Sequence, residues 1–191
     1  MNIPRITDLS GLDDVPSPAL LVFPERVEAN VDRMLQMVSG DVSRLRPHVK
    51  THKMAEVVRL QVAKGITQFK CATIAEAEML GEAGAKDVLL ANQPAGPNID
   101  RLLGLGGWFR DVRFSTIADD AEAVGNLAQA AQAAGVTLPV WLDLDVGMGR
   151  TGIAPGQAAA SSAVASSAAG LMEKRPVISP PVLVPNGQVF N

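Results

Sequence analysis

Arg46, His48, Lys50, His52 and Lys53 crowd into one short segment, RPHVKTHK, which also holds both histidines of the chain. A lysine amine becomes a nucleophile toward carbonyls once desolvation or neighbouring cations lower its proton affinity. Capture of an aldehyde cofactor as a Schiff base is the usual employment of such a lysine. Side chains two apart on a strand share a face, which predicts Arg46, His48 and Lys50 side by side. A solvated basic loop between a strand and a helix would use the same residues, and spacing alone leaves both readings open.

A second cluster, LDLDVGMGRTGI, spans residues 142–153. Asp143 and Asp145 are expected on one strand face. Gly147, Gly149 and Gly152 permit a tight turn from which Arg150 projects. Its guanidinium can hydrogen-bond a phenolate or a carboxylate, although a plain strand-to-helix turn with a surface arginine accounts for the segment equally simply. Neither histidine is near the two aspartates in sequence, so we assign no metal ligands. Thr73, Asn92 and Gln93 stand at expected strand ends, where a ligand could meet them. Thr73 is also explained as a helix cap with Glu76, and Asn92-Gln93-Pro94 as a turn. Trp108 and Trp141 are expected in the core. The single cysteine, Cys71, cannot close an internal disulfide and is expected to be a buried structural thiol.

These clusters must be positioned by alternating strands and helices. Strands are predicted at 19–23, 45–50, 69–72, 88–91, 112–115 and 140–146. Helices are predicted at 25–38, through Met54, Val57, Val58 and Val62, from Thr73 to about Gly84, at 99–105 and at 119–134. Pro24 suits a first helical position, and Gly135 suits a helix end. About six βα units without a dinucleotide glycine fingerprint predict an α/β fold, a TIM-type (β/α) barrel. A closed barrel needs eight strands and typically about 250 residues, so the barrel is expected to be incomplete. Residues 1–156 form the expected barrel domain. From 157 to 191 the chain turns to alanine-serine repeats and then to proline-rich sequence, which we read as a low-complexity tail, disordered or frame-shifted.

With 47% hydrophobic and 19% charged residues and a net charge of -3, the 191-residue chain has the composition of a globular protein with a sizeable core. It carries no broad basic surface for nucleic acid or anionic lipid. No apolar stretch is long enough for a signal peptide or a bilayer span, and a cytoplasmic location is expected.

The segment SPALLVFPERVEANVDRM resembles the opening of the alanine-racemase-type barrels, the fold type III class of pyridoxal-phosphate (PLP) enzymes. RPHVKTHK, CATIAEAEML, DVLLANQPAGPNIDRL and VWLDLDVGMGRTGI are similar, in the right order, to segments of the D-threonine aldolase/D-serine dehydratase branch. The resemblance runs from about Ser17 to Pro155. It implies the alanine racemase N-terminal kind of barrel, with Lys50 as the Schiff-base lysine. It also implies that His48, Thr73 and Arg150 meet the cofactor, Arg150 at the ring oxygen.

The implied activity is that of a lyase on β-hydroxy D-amino acids, D-threonine aldolase-like. D-serine dehydratase or a non-catalytic PLP-binding barrel are the alternatives. Full-length members of the branch imply a divalent metal (Mn, Mg or Zn), whose site is absent from this sequence, and a homodimer. The 191-residue chain itself is expected to be inactive.

Overall fold

The computed structural model describes residues 9–156 and, beyond them, the backbone of 182–183 and 189–190. Helix α1 (Pro24–Met37) starts with proline at its first turn, where the missing N–H costs nothing, and the Arg26 guanidinium lies 5.1 Å from the Phe23 ring at its entry. Helix α2 (Ala55–Ala63) turns Val57, Val58 and Gln61 inward. Four parallel strands follow, β1 (Gln68–Cys71), β2 (Asp87–Leu90), β3 (Arg113–Ala118) and β4 (Val140–Leu142), in the spatial order β1-β2-β3-β4. Helices α3 (Ile74–Glu82), α4 (Pro97–Trp108) and α5 (Ala121–Ala134) make the crossovers that parallel neighbours require. The later backbone segments pair as a short antiparallel ribbon, β5 (Val182–Leu183) with β6 (Val189–Phe190).

Local chemistry fixes the helix ends. Thr73 accepts the Glu76 N–H at 3.2 Å, while the Glu76 carboxylate reaches back to the Ala72 N–H at 2.8 Å. Asp120 caps α5 through the Ala123 N–H at 3.0 Å, and Gly135 closes it at φ 67, a left-handed position that glycine occupies without strain.

Strand alternation splits the sheet into two unlike faces. The register aligns Phe69, Val88 and Phe114 in one row and Cys71, Leu90, Thr116 and Val140 in another. All of these are buried, and helices α3, α4 and α5 pack over them. The opposite face carries Gln68, Asp87 and Arg113 in one row, Lys70, Leu89 and Ser115 in the next, then Ile117 beside Trp141, with Asp143 just beyond β4. Apart from buried Ser115, these side chains are half-buried. This is the side that would line a barrel, and among the described residues it is an open sheet.

Two of the six predicted strands do not join the ladder. Residues 19–23 form no strand, with Leu20 77% exposed, because β-forming side chains make a strand only where a neighbour completes the hydrogen bonds. Residues 45–50 contribute a single parallel bridge, His48 to Lys70, with the Lys70 N–H on the Pro47 carbonyl at 2.9 Å. Proline has no N–H to extend that ladder, and the chain curls into a 3-10 turn at Val49–Thr51. The last predicted strand stops at Leu142, with one further bridge from Leu144 to Ile153. The architecture is therefore an incomplete α/β barrel, with four parallel strands among the described residues where six units were predicted. Trp108 is a second correction: at the end of α4 it is 73% exposed and not in the core.

Candidate cofactor site

The 3-10 turn separates residues that alternation had grouped. Arg46 points into the sheet's inner face, 2.6 Å from the Asp87 carboxylate, donating also to the Gln68 side chain at 2.8 Å and lying 5.8 Å from the Trp141 ring centre. Arg113 holds the other Asp87 oxygen at 3.0 Å. Arg46 is thus part of a buttress between strands. His48, one bridge further up, uses Nδ1 to accept the Lys50 N–H at 3.3 Å and so caps the turn. That role requires a neutral ring, and burial, helped by the charges of Lys50 and Lys70, holds the His48 pKa below its ordinary 6.5.

The two lysines of the motif differ in their engagements. Lys53, at φ 54, ion-pairs with Glu76 at 3.2 Å. Glu76 is itself buried, which pushes its carboxyl up, yet the Ala72 N–H and Lys53 outweigh this and hold it below 4.5. Lys50 is exposed and makes no ion pair among the described residues. It is close enough to the inner face for its charge to act on both His48 and Lys70.

Arg150 reaches the same neighbourhood from the other sheet edge. Its loop is tied by the Asp145 carboxylate, which accepts the Gly147 and Gly149 N–H groups at 3.0 and 2.9 Å and is held below the usual carboxylate range by them. The Gly152 N–H donates to Asp119 at 2.9 Å, and Ile153 bonds back to Asp143 and Asp145. Arg150 is exposed, and its charge, with that of Asp143, acts on Lys70. The pair of aspartates singled out in the sequence therefore divides, one toward the inner face and one into loop closure.

Lys70 is the residue that sequence reasoning missed. Buried Phe69 and Cys71 on either side turn it to the inner face beside His48. The signal was legible in FKC, where alternation sends the two apolar side chains one way and the lysine the other. Cys71 is buried, its thiol pushed up to about 12 by burial, which fits the structural role expected for it.

Thr73 caps α3 through Glu76 at the end of β1. It lines a cleft of about 210 Å3 with Ala72, Leu90, Asn92, Asn98 and Arg101, and is linked to His48 through Glu76. Gln93 is engaged by the Asp119 N–H at 2.9 Å. Among the described residues no three His, Cys, Asp or Glu side chains gather as a metal site, and no helix is long and apolar enough to cross a membrane.

Among the described residues the exposed amine Lys50 thus acts on Lys70, as does Arg150, with Asp143 the carboxylate that acts on Lys70 and Glu76 the one that acts on His48. Such a donor set suits an anionic aldehyde.

Comparison with known proteins gives the family and the fold. The chain is 32% identical over 168 residues to 3-hydroxy-D-aspartate aldolase of Paracoccus denitrificans, covering 86% of the chain and 43% of that protein. It is 31% identical to D-threo-3-hydroxyaspartate dehydratase of Delftia sp. (strain HT23), covering 72% of the chain and 36% of that protein. The crystal structure of D-threonine aldolase from Filomicrobium marinum superposes with a TM-score of 0.71 at 31% identity, over 82% of this chain and 42% of that one. The chain spans less than half the length of each. Residues 23–174 match the family described as alanine racemase, N-terminal domain, and the chain belongs to that family.

Proposed function

We propose that this chain is the lysine-bearing part of a PLP-dependent lyase that cleaves β-hydroxy D-amino acids in a retro-aldol reaction, with Lys50 as the cofactor lysine. The observation that carries the reading is the contrast between the two motif lysines: Lys53 is committed to Glu76, while Lys50 is exposed, without an ion pair among the described residues, beside Lys70 and Arg150. Bound PLP would supply an electron sink for the bond broken at the substrate Cα. Lys50 would hold the cofactor's aldehyde carbon. His48, capped on the Lys50 N–H, would fix the turn that aims the amine. Arg150 would stabilise negative charge on the cofactor's ring oxygen. Thr73, the remaining residue assigned to the cofactor, caps α3 and would meet the cofactor from the cleft that it lines. No described residues fit the divalent metal implied by the resemblance, and no step is routed through it. On its own the 191-residue chain is proposed not to turn over substrate, since the described inner face lies open on an unclosed sheet.

Incubation with PLP, borohydride reduction and peptide mapping test the assignment. The label is expected on Lys50, absent in Lys50→Ala; a label confined to Lys53 or Lys70 would refute it. In Arg150→Ala the pH titration of the bound cofactor's absorbance should move, and an unmoved titration would remove Arg150 from its role.

Dehydration is the second reading, supported by the similarity to the Delftia dehydratase. Full-length enzyme assayed on D-threonine and D-serine separates the two, since aldol cleavage releases an aldehyde and dehydration a keto acid and ammonia.

A further inference from the structure

Among the described residues, the inner face holds one half-buried cation whose charge no ion pair neutralises. Lys70 is half-buried, turned to that face by buried Phe69 and Cys71, and bridged through its backbone to His48. It makes no ion pair or side-chain hydrogen bond among the described residues, although every other half-buried cation of the face does: Arg46 and Arg113 share Asp87. Its row neighbours across the sheet are Leu89 and Ser115, neither an acid, and the Ser115 hydroxyl is spent on the Val88 carbonyl. The Trp141 indole N–H, further along the same face, is likewise buried without a partner among the described residues. A half-buried ammonium left in this state is costly, and an anion arriving from solution recovers that cost.

We propose that Lys70 reads the side-chain carboxylate of a dicarboxylic β-hydroxy D-amino acid, and so sets the substrate class of the site. The proposal rests on the cofactor reading above, which puts the substrate amine at Lys50, two residues beyond the bridge partner of Lys70. Burial and the Lys50 charge, with a smaller push from Arg150 against the pull of Asp143, hold the Lys70 pKa below its ordinary 10.5, as expected of a cation short of counter-charge. A neutral side chain such as that of threonine would leave the ammonium as it is. A carboxylate would pair with it.

The first test uses two amino acids of nearly equal shape, D-aspartate and D-asparagine, titrated into the PLP-loaded chain while the cofactor's visible absorbance is followed. D-aspartate should reach its midpoint at a concentration roughly tenfold lower or better, the size expected of a charge-assisted bond. Lys70→Met should erase the difference without moving the D-asparagine midpoint, and Lys70→Arg should retain it. Equal midpoints in the parent, or a preference that survives Lys70→Met, would overturn the proposal. Loss of PLP uptake in Lys70→Met, restored in Lys70→Arg, would give Lys70 to the cofactor phosphate and overturn it as well.

The second test needs neither cofactor nor variant. Trace acetylation of the cofactor-free chain, mapped by mass spectrometry, should be slowed severalfold at Lys70 by succinate and unaffected by succinamide. Shielding of Lys70 in a chain that takes no PLP on Lys50 would sink the cofactor reading and leave the carboxylate site standing. Labelled Lys50 with no shielding of Lys70 would do the reverse.

Discussion

The two faces of the four-stranded sheet are cut from the same short strands and differ in almost everything else. The helix-facing side is closed and apolar, with Phe69, Val88, Leu90, Phe114 and Val140 nearly inaccessible. The other side is half-buried and polar, with Arg46, Asp87 and Arg113 locked together at one level and Lys70 unpaired at the next. Stability is thereby concentrated on one face, and the other is left to carry groups that a core would reject. The two roles should be separable by mutation.

The sharpest separation pairs Phe69 with its neighbour. Phe69→Ala removes a fully buried ring and should cost about 3–5 kcal/mol, read as a fall in the urea midpoint, whereas Lys70→Met should stay within about 1 kcal/mol of the parent. If Lys70→Met proved as destabilising as Phe69→Ala, the inner face would belong to the core.

Gly152→Ala probes the loop that carries Arg150. A Cβ there would lie 2.6 Å from the Asp145 backbone nitrogen, at φ 95, so the loop must open. A loss of about 2 kcal/mol is expected, together with exchange of the Gly147 and Gly149 amide protons that Asp145 now protects. Unchanged amide exchange would show that the loop tolerates the clash and does not hold Arg150 in place.

Asp87→Ala tests the buttress at the base of the inner face. It leaves two guanidinium groups, both partly solvated, without their shared carboxylate, and a cost of about 1–2 kcal/mol is expected, discounted for that exposure. Arg46→Ala in the same background should then cost less than it does in the parent, since the Asp87 carboxylate is already gone and only Gln68, the Phe69 carbonyl and the Trp141 ring remain as partners.

The smallest effect is in pH. His48 and His52 are both held below 6.5, chiefly by burial, so each folded state favours the neutral ring. Their contribution is complete above 6.5 and is lost as pH falls through the lowered folded values; Glu76, held below 4.5, adds a second loss only under more acid conditions. The urea midpoint should slip between pH 7 and 5, and less so in His48→Gln. A midpoint that rose over this range would contradict the sign.

The chain's local chemistry was largely legible without a structure. Thr73 with Glu76, Pro24 and Gly135 announced helix ends, and the apolar runs around Phe69, Val88 and Val140 announced buried parallel strands. The short-range hydrogen bonds and hydrophobic periods behind those expectations lie within a few residues of each other. The run at 19–23 misled for the same reason, since its β-forming side chains carry no record of whether a neighbouring strand is present to pair with them. At 45–50 the warning was there in Pro47, but its consequence depended on meeting Lys70.

Sequence brought Lys50 and Arg150 forward as candidates, whose spacing left bland readings open and which the family resemblance singled out. Tertiary structure decided which lysine is committed and which is not, by setting Glu76 opposite Lys53. It also decided that Asp143 and Asp145 do different work and that Lys70 faces the same space as His48. Those outcomes turn on distances between residues far apart along the chain, which are set only when strands pair in register and helices cover one side of them.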